Sequence, residues 1–314
     1  MRLLIAGFDG IDPGVVESYG DAMPCLASLP YAAELVSEEI LTWPIWTSMA
    51  TGLPPSEHGV TGIFADEDAK RAWCRDDVKT GRFLWRALND AGLSVGWYRV
   101  PVTSYPPREL DGWMASGTAG SPTGIWPVEL SSAYEPGPAN LWSKECLPIG
   151  SETRADIDRA GSALWDAARN ALDAELESLL RLVEVSPVDV VFCYFNYTDT
   201  VQHHCFHDKS IMAQLHAWVD RAASRITGAC DPDQTMILSD HGMRAVTPDD
   251  WGTHDKEGVW FTRSVFGNHS FFQSGMHRSP GLVRASFPLP PTLTPEDVYA
   301  VTCRACDIQG PPPA

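Results

Sequence analysis

Short, unbroken apolar runs alternate along this chain with longer stretches of helical periodicity, and the two patterns together predict an α/β protein. Leu3-Leu4-Ile5-Ala6-Gly7-Phe8 is apolar without alternation, as expected of a parallel strand buried on both faces, and Asp9-Gly10 ends it. Gly81 to Gly92 carries Phe83, Leu84, Leu88 and Ala91 at helical spacing, and Ser94 to Arg99 reads as the next strand. From Arg154 to Val185 the positions Ile157, Leu164, Ala168, Leu172, Leu176, Leu179 and Val183 predict one long amphipathic helix, closed by Pro187. Val188 to Phe195 reads as a second buried strand. A helix from Lys209 to Thr227 (Ile211, Leu215, Val219, Ala222, Ile226) then leads to a third strand, Thr235 to Leu238. The tail is Pro-rich, with one short helix beginning near Pro295-Glu296-Asp297.

Between Pro101 and Gly150 the periodicity fades into a stretch rich in Pro, Gly, Ser and Trp. Long segments of this kind in compact enzymes are usually functional covers. The expectation is one catalytic domain over residues 1–314 with a cap-like insertion at about 101–150. Tyr105, Arg108, Trp113, Trp126 and Trp142 are there either to line a pocket or to pin the insertion to the core.

Composition narrows the function. Lys+Arg 23 against Asp+Glu 41 gives a net charge of −18, which disfavours a nucleic-acid polymer as partner but leaves room for a small anion held through a metal ion. No run approaches the roughly 18 apolar residues of a membrane helix. The N-terminal apolar run meets Asp9 too early for a signal peptide. The eight cysteines lack a disulfide framework. Cys303-x-x-Cys306 lacks a second pair for a structural zinc site and reads as packing. A cytoplasmic location is therefore expected.

The candidate chemistry lies where strands stop, because ligands of α/β sheets bind at the carboxyl ends of the strands. The third strand ends at Ser239-Asp240-His241-Gly242, an oxygen and nitrogen pair suited to a divalent ion, or simply a polar turn. The first strand ends at Asp9, as a helix cap or a ligand. The second runs out at Asn196-Tyr197-Thr198-Asp199, and Asp199 and His203 share one face if a helix starts there. Thr42-Trp43-Pro44 opens a helix that Gly52 stops, so the Thr42 hydroxyl is either a cap or a nucleophile near a helix N-terminus. His58, in a turn-rich loop, reads as structural. His254, in Gly252-Thr253-His254 just ahead of a further strand, could reach the same edge.

In this order the pieces resemble the alkaline phosphatase superfamily, and within it the type I phosphodiesterase/nucleotide pyrophosphatase family. The pieces are Phe8-Asp9-Gly10, Thr42-Trp43-Pro44 with Thr51-Gly52-Leu53-Pro54 and His58-Gly59, Val100-Pro101-Val102-Thr103, Asp199 with Gln202-His203, Ser239-Asp240-His241-Gly242 and Gly252-Thr253-His254. The resemblance covers nearly the whole chain. It implies an alkaline-phosphatase-like sandwich with a central, mostly parallel sheet and helices on both faces.

It also implies two divalent ions, usually zinc, with manganese or iron as alternatives. One would be held by Asp199, His203 and His254, the other by Asp9, Asp240, His241 and the Thr42 oxygen. Thr42 would be the nucleophile, through a phosphothreonine intermediate, on a small phosphate-ester substrate. The Trp43 ring occupies the place of a base-stacking aromatic, and the Trp43 N–H could bind a nonbridging oxygen. The relatives' phosphate-binding asparagine has no counterpart in Val60-Thr61-Gly62-Ile63-Phe64, which leaves Arg99 and Asn196 as candidate donors. The resemblance disfavours a sulfatase, because Thr42 cannot become formylglycine and Trp46 stands where sulfatases carry an arginine. The alternatives are a phosphomonoesterase or phosphonate hydrolase, and a metal-containing nucleotide-binding protein without turnover.

Overall fold

The computed structural model describes residues 1–66, 68–69, 71–104, 107, 109–117, 124–136, 153–250, 252–266 and 269–308, and only the backbone of 263–266 and 269–271. Among these, the strands are β1 (Leu3–Phe8), β2 (Tyr31–Leu35), β3 (Val95–Tyr98), β4 (Gly112–Ser116), β5 (Gly124–Trp126), β6 (Val190–Phe195), β7 (Gln234–Leu238), β8 (Gly242–Ala245), β9 (His254–Lys256), β10 (Val259–Phe266), β11 (His269–Gln273), β12 (Gly275–Arg278), β13 (Gly281–Ala285) and β14 (Thr292–Leu293). The helices are α1 (Val15–Ser18), α2 (Pro24–Ser28), α3 (Thr42–Thr51), α4 (Pro55–His58), α5 (Leu84–Asp90), α6 (Arg154–Val185), α7 (Tyr197–Cys205), α8 (Lys209–Cys230) and α9 (Pro295–Ala305).

Nine strands form one sheet in the order β14-β2-β13-β7-β1-β6-β3-β4-β5. Its centre, β7-β1-β6-β3-β4, is parallel throughout, whereas β13 runs antiparallel between β7 and β2. The alternation of β1 explains the layering. Leu4, Ala6 and Phe8 face a core with Leu172, Leu176 and Leu179 of α6 and Leu215, Val219 and Ala222 of α8. Leu3 and Ile5 face the opposite core with Ile45, Trp46 and Met49 of α3, Leu84 and Leu88 of α5, and Val298 and Val301 of α9.

The long helix spans the expected residues and opens with a capping box between Thr153 and Asp156. Asp208 caps α8 by accepting from Ser210 N and Ile211 N. No helix among the described residues is long and apolar enough to cross a membrane.

Two expectations change. Residues 101–150 are not simply a cover, because β4 and β5 inside that stretch extend the central sheet. Trp113 is fully buried and donates Nε1–H to Ser186 O at 2.9 Å, so it is a core residue and not a pocket wall. Strands of five and three residues are too short to show their period against a Gly/Pro-rich background. Tyr105, Arg108 and Trp142 lie outside the described residues. The helix expected from Gly81 begins at Leu84.

Helix α3 lies tightly against the sheet. A Cβ on Gly7 would stand 2.2 Å from the Trp46 ring, so only glycine admits this helix. Gly7→Ala is expected to cost about 1–3 kcal/mol through overpacking, measured by urea unfolding.

Candidate metal-binding active site

The carboxyl ends of β1, β6 and β7 converge because these strands are parallel neighbours: Phe8 pairs with Phe195 and Gly7 with Leu238. The residues that follow, Asp9, Asn196 and Ser239-Asp240, therefore meet at one edge. Gly10 lets the chain turn there with φ +79°, and a Cβ at that position would lie 3.3 Å from Asp199 Oδ1 and 2.9 Å from Gln202 Nε2. The turn is held by Gln202 Nε2 donating to Gly10 O at 2.8 Å and by Thr198 Oγ1 donating to Asp9 O at 2.7 Å. Ser239 Oγ accepts from Ile11 N and donates to His241 O, both at 2.8 Å.

Asp9, Asp240 and His241 are buried and form one cluster able to hold an ion. His241 Nε2 stands 3.2 Å from Asp9 Oδ1 and 3.4 Å from Asp240 Oδ2. All three of these atoms are buried without a hydrogen-bond partner. The other half of each group is occupied. Asp9 Oδ2 accepts from Tyr194 Oη, Asp240 Oδ1 accepts from Gly10 N at 3.4 Å, and His241 Nδ1 donates to Gly242 O at 3.1 Å. Three acceptors thus point at one place with no proton donor among them. Buried acceptors are costly unless partnered, and a cation bound by a carboxylate–carboxylate–imidazole set is the partner that fits.

A second cluster adjoins it, formed by Asp199, His241 and His277. His277 Nε2 is 3.1 Å from Asp199 Oδ1 and 2.7 Å from His203 Nε2, and His203 Nε2 is 3.4 Å from Asp199 Oδ1. His203 Nδ1 faces Gly275 O at 3.0 Å, and His277 Nδ1 faces Ile40 O at 2.6 Å. Each of the three imidazoles is thus anchored through Nδ1–H to a backbone carbonyl, which turns Nε2 toward the site. That is the supporting arrangement metal-ligating histidines require.

The electrostatics carry the same signature. Burial and the charge of Asp199 push Asp9 up to about 7, and burial with the neighbouring Asp9 drives Asp240 well above the carboxylate range. Burial would raise Asp199 as well, but His203 and His277 hold it below its usual value. Burial pulls His203 down to about 4 and lowers His241. His277 goes the other way: burial opposes its charge, yet Asp199 outweighs burial and raises it to about 9. The cluster needs positive charge, and one imidazolium supplies part of it.

Thr42 is the first residue of α3 and is buried. No side chain caps α3, so the Thr42 hydroxyl stands at a helix start whose first N–H groups are open to an anion. The bond from His277 to Ile40 O ties this segment to the candidate ligands two positions ahead of Thr42. Ser37 N donating to Ser279 Oγ at 3.3 Å is a second stitch. Trp43 is half-buried against the core beside α3, with Nε1 buried and unpartnered. Asn196, at the start of α7, also has its Oδ1 buried and unpartnered.

His254 and Arg99 need correction. His254 is exposed on β9, part of a separate three-stranded sheet, and lies outside both clusters. The histidine brought to the edge is His277. It precedes β13, which is antiparallel to β7 (Val283 opposite Leu238) and so begins at the carboxyl edge of the parallel strands. The signal was present in Gly275-Met276-His277-Arg278, also just ahead of an apolar strand; what selects it is the direction of β13. Arg99 is 2% exposed and pairs with Glu175 of α6 at 2.9 Å, so it fastens β3 to α6 and is not open to substrate. His58 is structural as expected: its Nε2 donates to Ser48 Oγ at 3.0 Å and its Nδ1 accepts from Val60 N at 3.1 Å.

The type I phosphodiesterase/nucleotide pyrophosphatase family matches residues 3–267, and the chain belongs to that family. Membership makes it a hydrolase of the phosphodiesterase and nucleotide pyrophosphatase kind. Solved structures with the same fold include murine ectonucleotide pyrophosphatase/phosphodiesterase 5 (ENPP5), with TM-score 0.62. An inactive threonine-to-alanine form of the murine protein in complex with AMP gives 0.60, and human ENPP5 gives 0.58. Each is 12% identical and is covered over 99% of this chain and 96% of its own. No curated protein sequence matches significantly.

His277→Ala is expected to remove bound metal and activity together, whereas His254→Ala leaves both unchanged; elemental analysis beside an activity assay distinguishes them. Arg99→Ala strands the Glu175 carboxylate and is expected to cost about 3–5 kcal/mol of stability. Replacing Arg99 and Glu175 together by apolar residues should restore most of that loss in chemical denaturation.

Proposed function

We propose that the protein hydrolyses a phosphodiester or nucleotide pyrophosphate bond through a phosphothreonine on Thr42, with two divalent ions, zinc by preference, at the sheet edge. The observation that carries this reading is the convergence of Asp9 Oδ1, Asp240 Oδ2 and His241 Nε2, all buried and unpartnered. The His203–Asp199–His277 group stands alongside, tied to the segment that leads into Thr42. Asp9, Asp240 and His241 with the Thr42 oxygen would hold one ion, and Asp199, His203 and His277 the other.

When bound, such ions make a threonine alkoxide accessible near neutral pH and offset charge on phosphoryl oxygens. The chain's own groups do the rest. Thr42 Oγ1 attacks phosphorus, the leaving oxygen departs on the opposite side, and water then cleaves the phosphothreonine. The first N–H groups of α3 are available to a nonbridging oxygen, favoured by the helix dipole. Asn196 and Trp43, each with an unpartnered buried polar atom beside the site, are the candidate substrate contacts. The murine ENPP5 complex with AMP supports a small nucleotide-phosphate substrate, and the inactivity of its threonine-to-alanine form supports Thr42 as nucleophile.

Bis-p-nitrophenyl phosphate compared with p-nitrophenyl phosphate, with added Zn²⁺ and an EDTA control, isolates diester from monoester preference because both release the same leaving group. Diester preference abolished by EDTA is expected. Thr42→Ala should lower turnover by at least about a thousandfold while the metal stays bound, since a nucleophile is lost and ligands remain. Full activity in that variant would sink the phosphothreonine route.

A further inference from the structure

We propose that Tyr194 is a positioning residue that fixes which oxygen of Asp9 faces the metal ion, and so sets the affinity of one of the two sites. The inference rests on the two-ion reading above. Tyr194 is the fifth residue of β6 and pairs in register with Gly7, so its side chain emerges beside the tip of β1. The ring is 1% exposed, and its hydroxyl donates to Asp9 Oδ2.

That bond divides the carboxylate. Oδ2 is turned away toward the phenol, and Oδ1 alone is presented, unpartnered, 3.2 Å from the likewise unpartnered His241 Nε2. Asp240 is divided in the same way by the Gly10 N–H, but that donor belongs to a turn of the site itself. On Asp9, Tyr194 is the side-chain donor, and it comes from the neighbouring strand.

The ring is in turn held by Trp46 of α3, whose centroid lies 4.6 Å away at 65°. Trp46 is locked by its contact with Gly7. Thr42, four residues ahead of Trp46 on the same helix, is therefore placed against the sheet by the side chain that wedges Tyr194. A continuous path runs from nucleophile helix to indole to phenol to carboxylate. Without the hydroxyl, Asp9 Oδ2 would also be a buried acceptor lacking a donor, and the carboxylate would be free to rotate. Removing a supporting partner of this kind typically weakens metal affinity 10–100-fold.

The experiment is zinc titration of chelator-stripped protein against a competing chromophoric chelator, with wild type, Tyr194→Phe and Tyr98→Phe side by side. Tyr98 is an equally buried tyrosine of β3 that donates to Glu175 O at 2.9 Å, away from the metal ligands. Wild type is expected to bind two zinc ions. Tyr194→Phe should keep one at wild-type affinity and bind the other about 10–100-fold more weakly. At limiting zinc its kcat should fall with KM unchanged, and excess zinc should restore it. Tyr98→Phe should match wild type in both affinities.

Equal affinities in wild type and Tyr194→Phe overturn the proposal, as does the same loss in Tyr98→Phe. A wild-type protein that binds no zinc, manganese or iron instead overturns the two-ion reading, and this inference falls with it. A crystal structure of the zinc-loaded wild type gives a check independent of any variant: Tyr194 Oη on Asp9 Oδ2 with zinc on Oδ1 is expected, and a phenol detached from Asp9 overturns the assignment.

Discussion

The structure depends on a deficit of positive charge at the carboxyl edge of its central sheet. Three carboxylates, Asp9, Asp199 and Asp240, are buried there among three imidazoles. Apart from His277 Nε2, which faces Asp199 Oδ1, the donors are directed at the far side of these groups: backbone carbonyls take the Nδ1 protons of His203, His241 and His277, and Tyr194 and Gly10 take one oxygen each from Asp9 and Asp240. Among Asp9, Asp240 and His241 the near side is left with lone pairs facing one another. Such an arrangement is stable only when something cationic lies among them, which is why a fold of ordinary α/β construction reads as a metal-dependent hydrolase.

The elements around this edge serve its geometry. Parallel pairing of β7, β1 and β6 brings their carboxyl ends level, and Gly10, Gly242 and Gly281 let backbone pass where a Cβ would collide with Asp199, Asp12 or Ser239. The antiparallel strand β13 returns to the same edge and delivers His277. Helix α3 packs its Trp46 over Gly7 and presents Thr42 from the opposite layer. The candidate ligands and Thr42 are thus carried on separate elements whose relative placement is fixed by core packing, as a preorganised site requires.

Much of this was legible along the chain. Fully apolar runs such as Leu3–Phe8 and Val190–Phe195 can only be strands buried on both faces, and the polar residue that stops each run marks the catalytic edge. Asp9, Asp199, His203, Asp240 and His241 are all brought to that edge because strand ends fix their location. The short strands β2, β4 and β5 were not legible, since five or fewer residues in Gly/Pro-rich surroundings show no period.

Sequence by itself therefore determined the α/β layering, the order of the buried strands and the residues at their tips, because these follow from local periodicity and from where apolar runs end. Tertiary structure alone decided between His254 and His277, two histidines with the same local signature, through the direction in which β13 crosses the sheet. It likewise withdrew Arg99 from the substrate by burying it against Glu175, and gave Tyr194 its place on Asp9. Each of these rests on a contact between residues far apart in the chain, and no local pattern encodes which distant partner a side chain will meet.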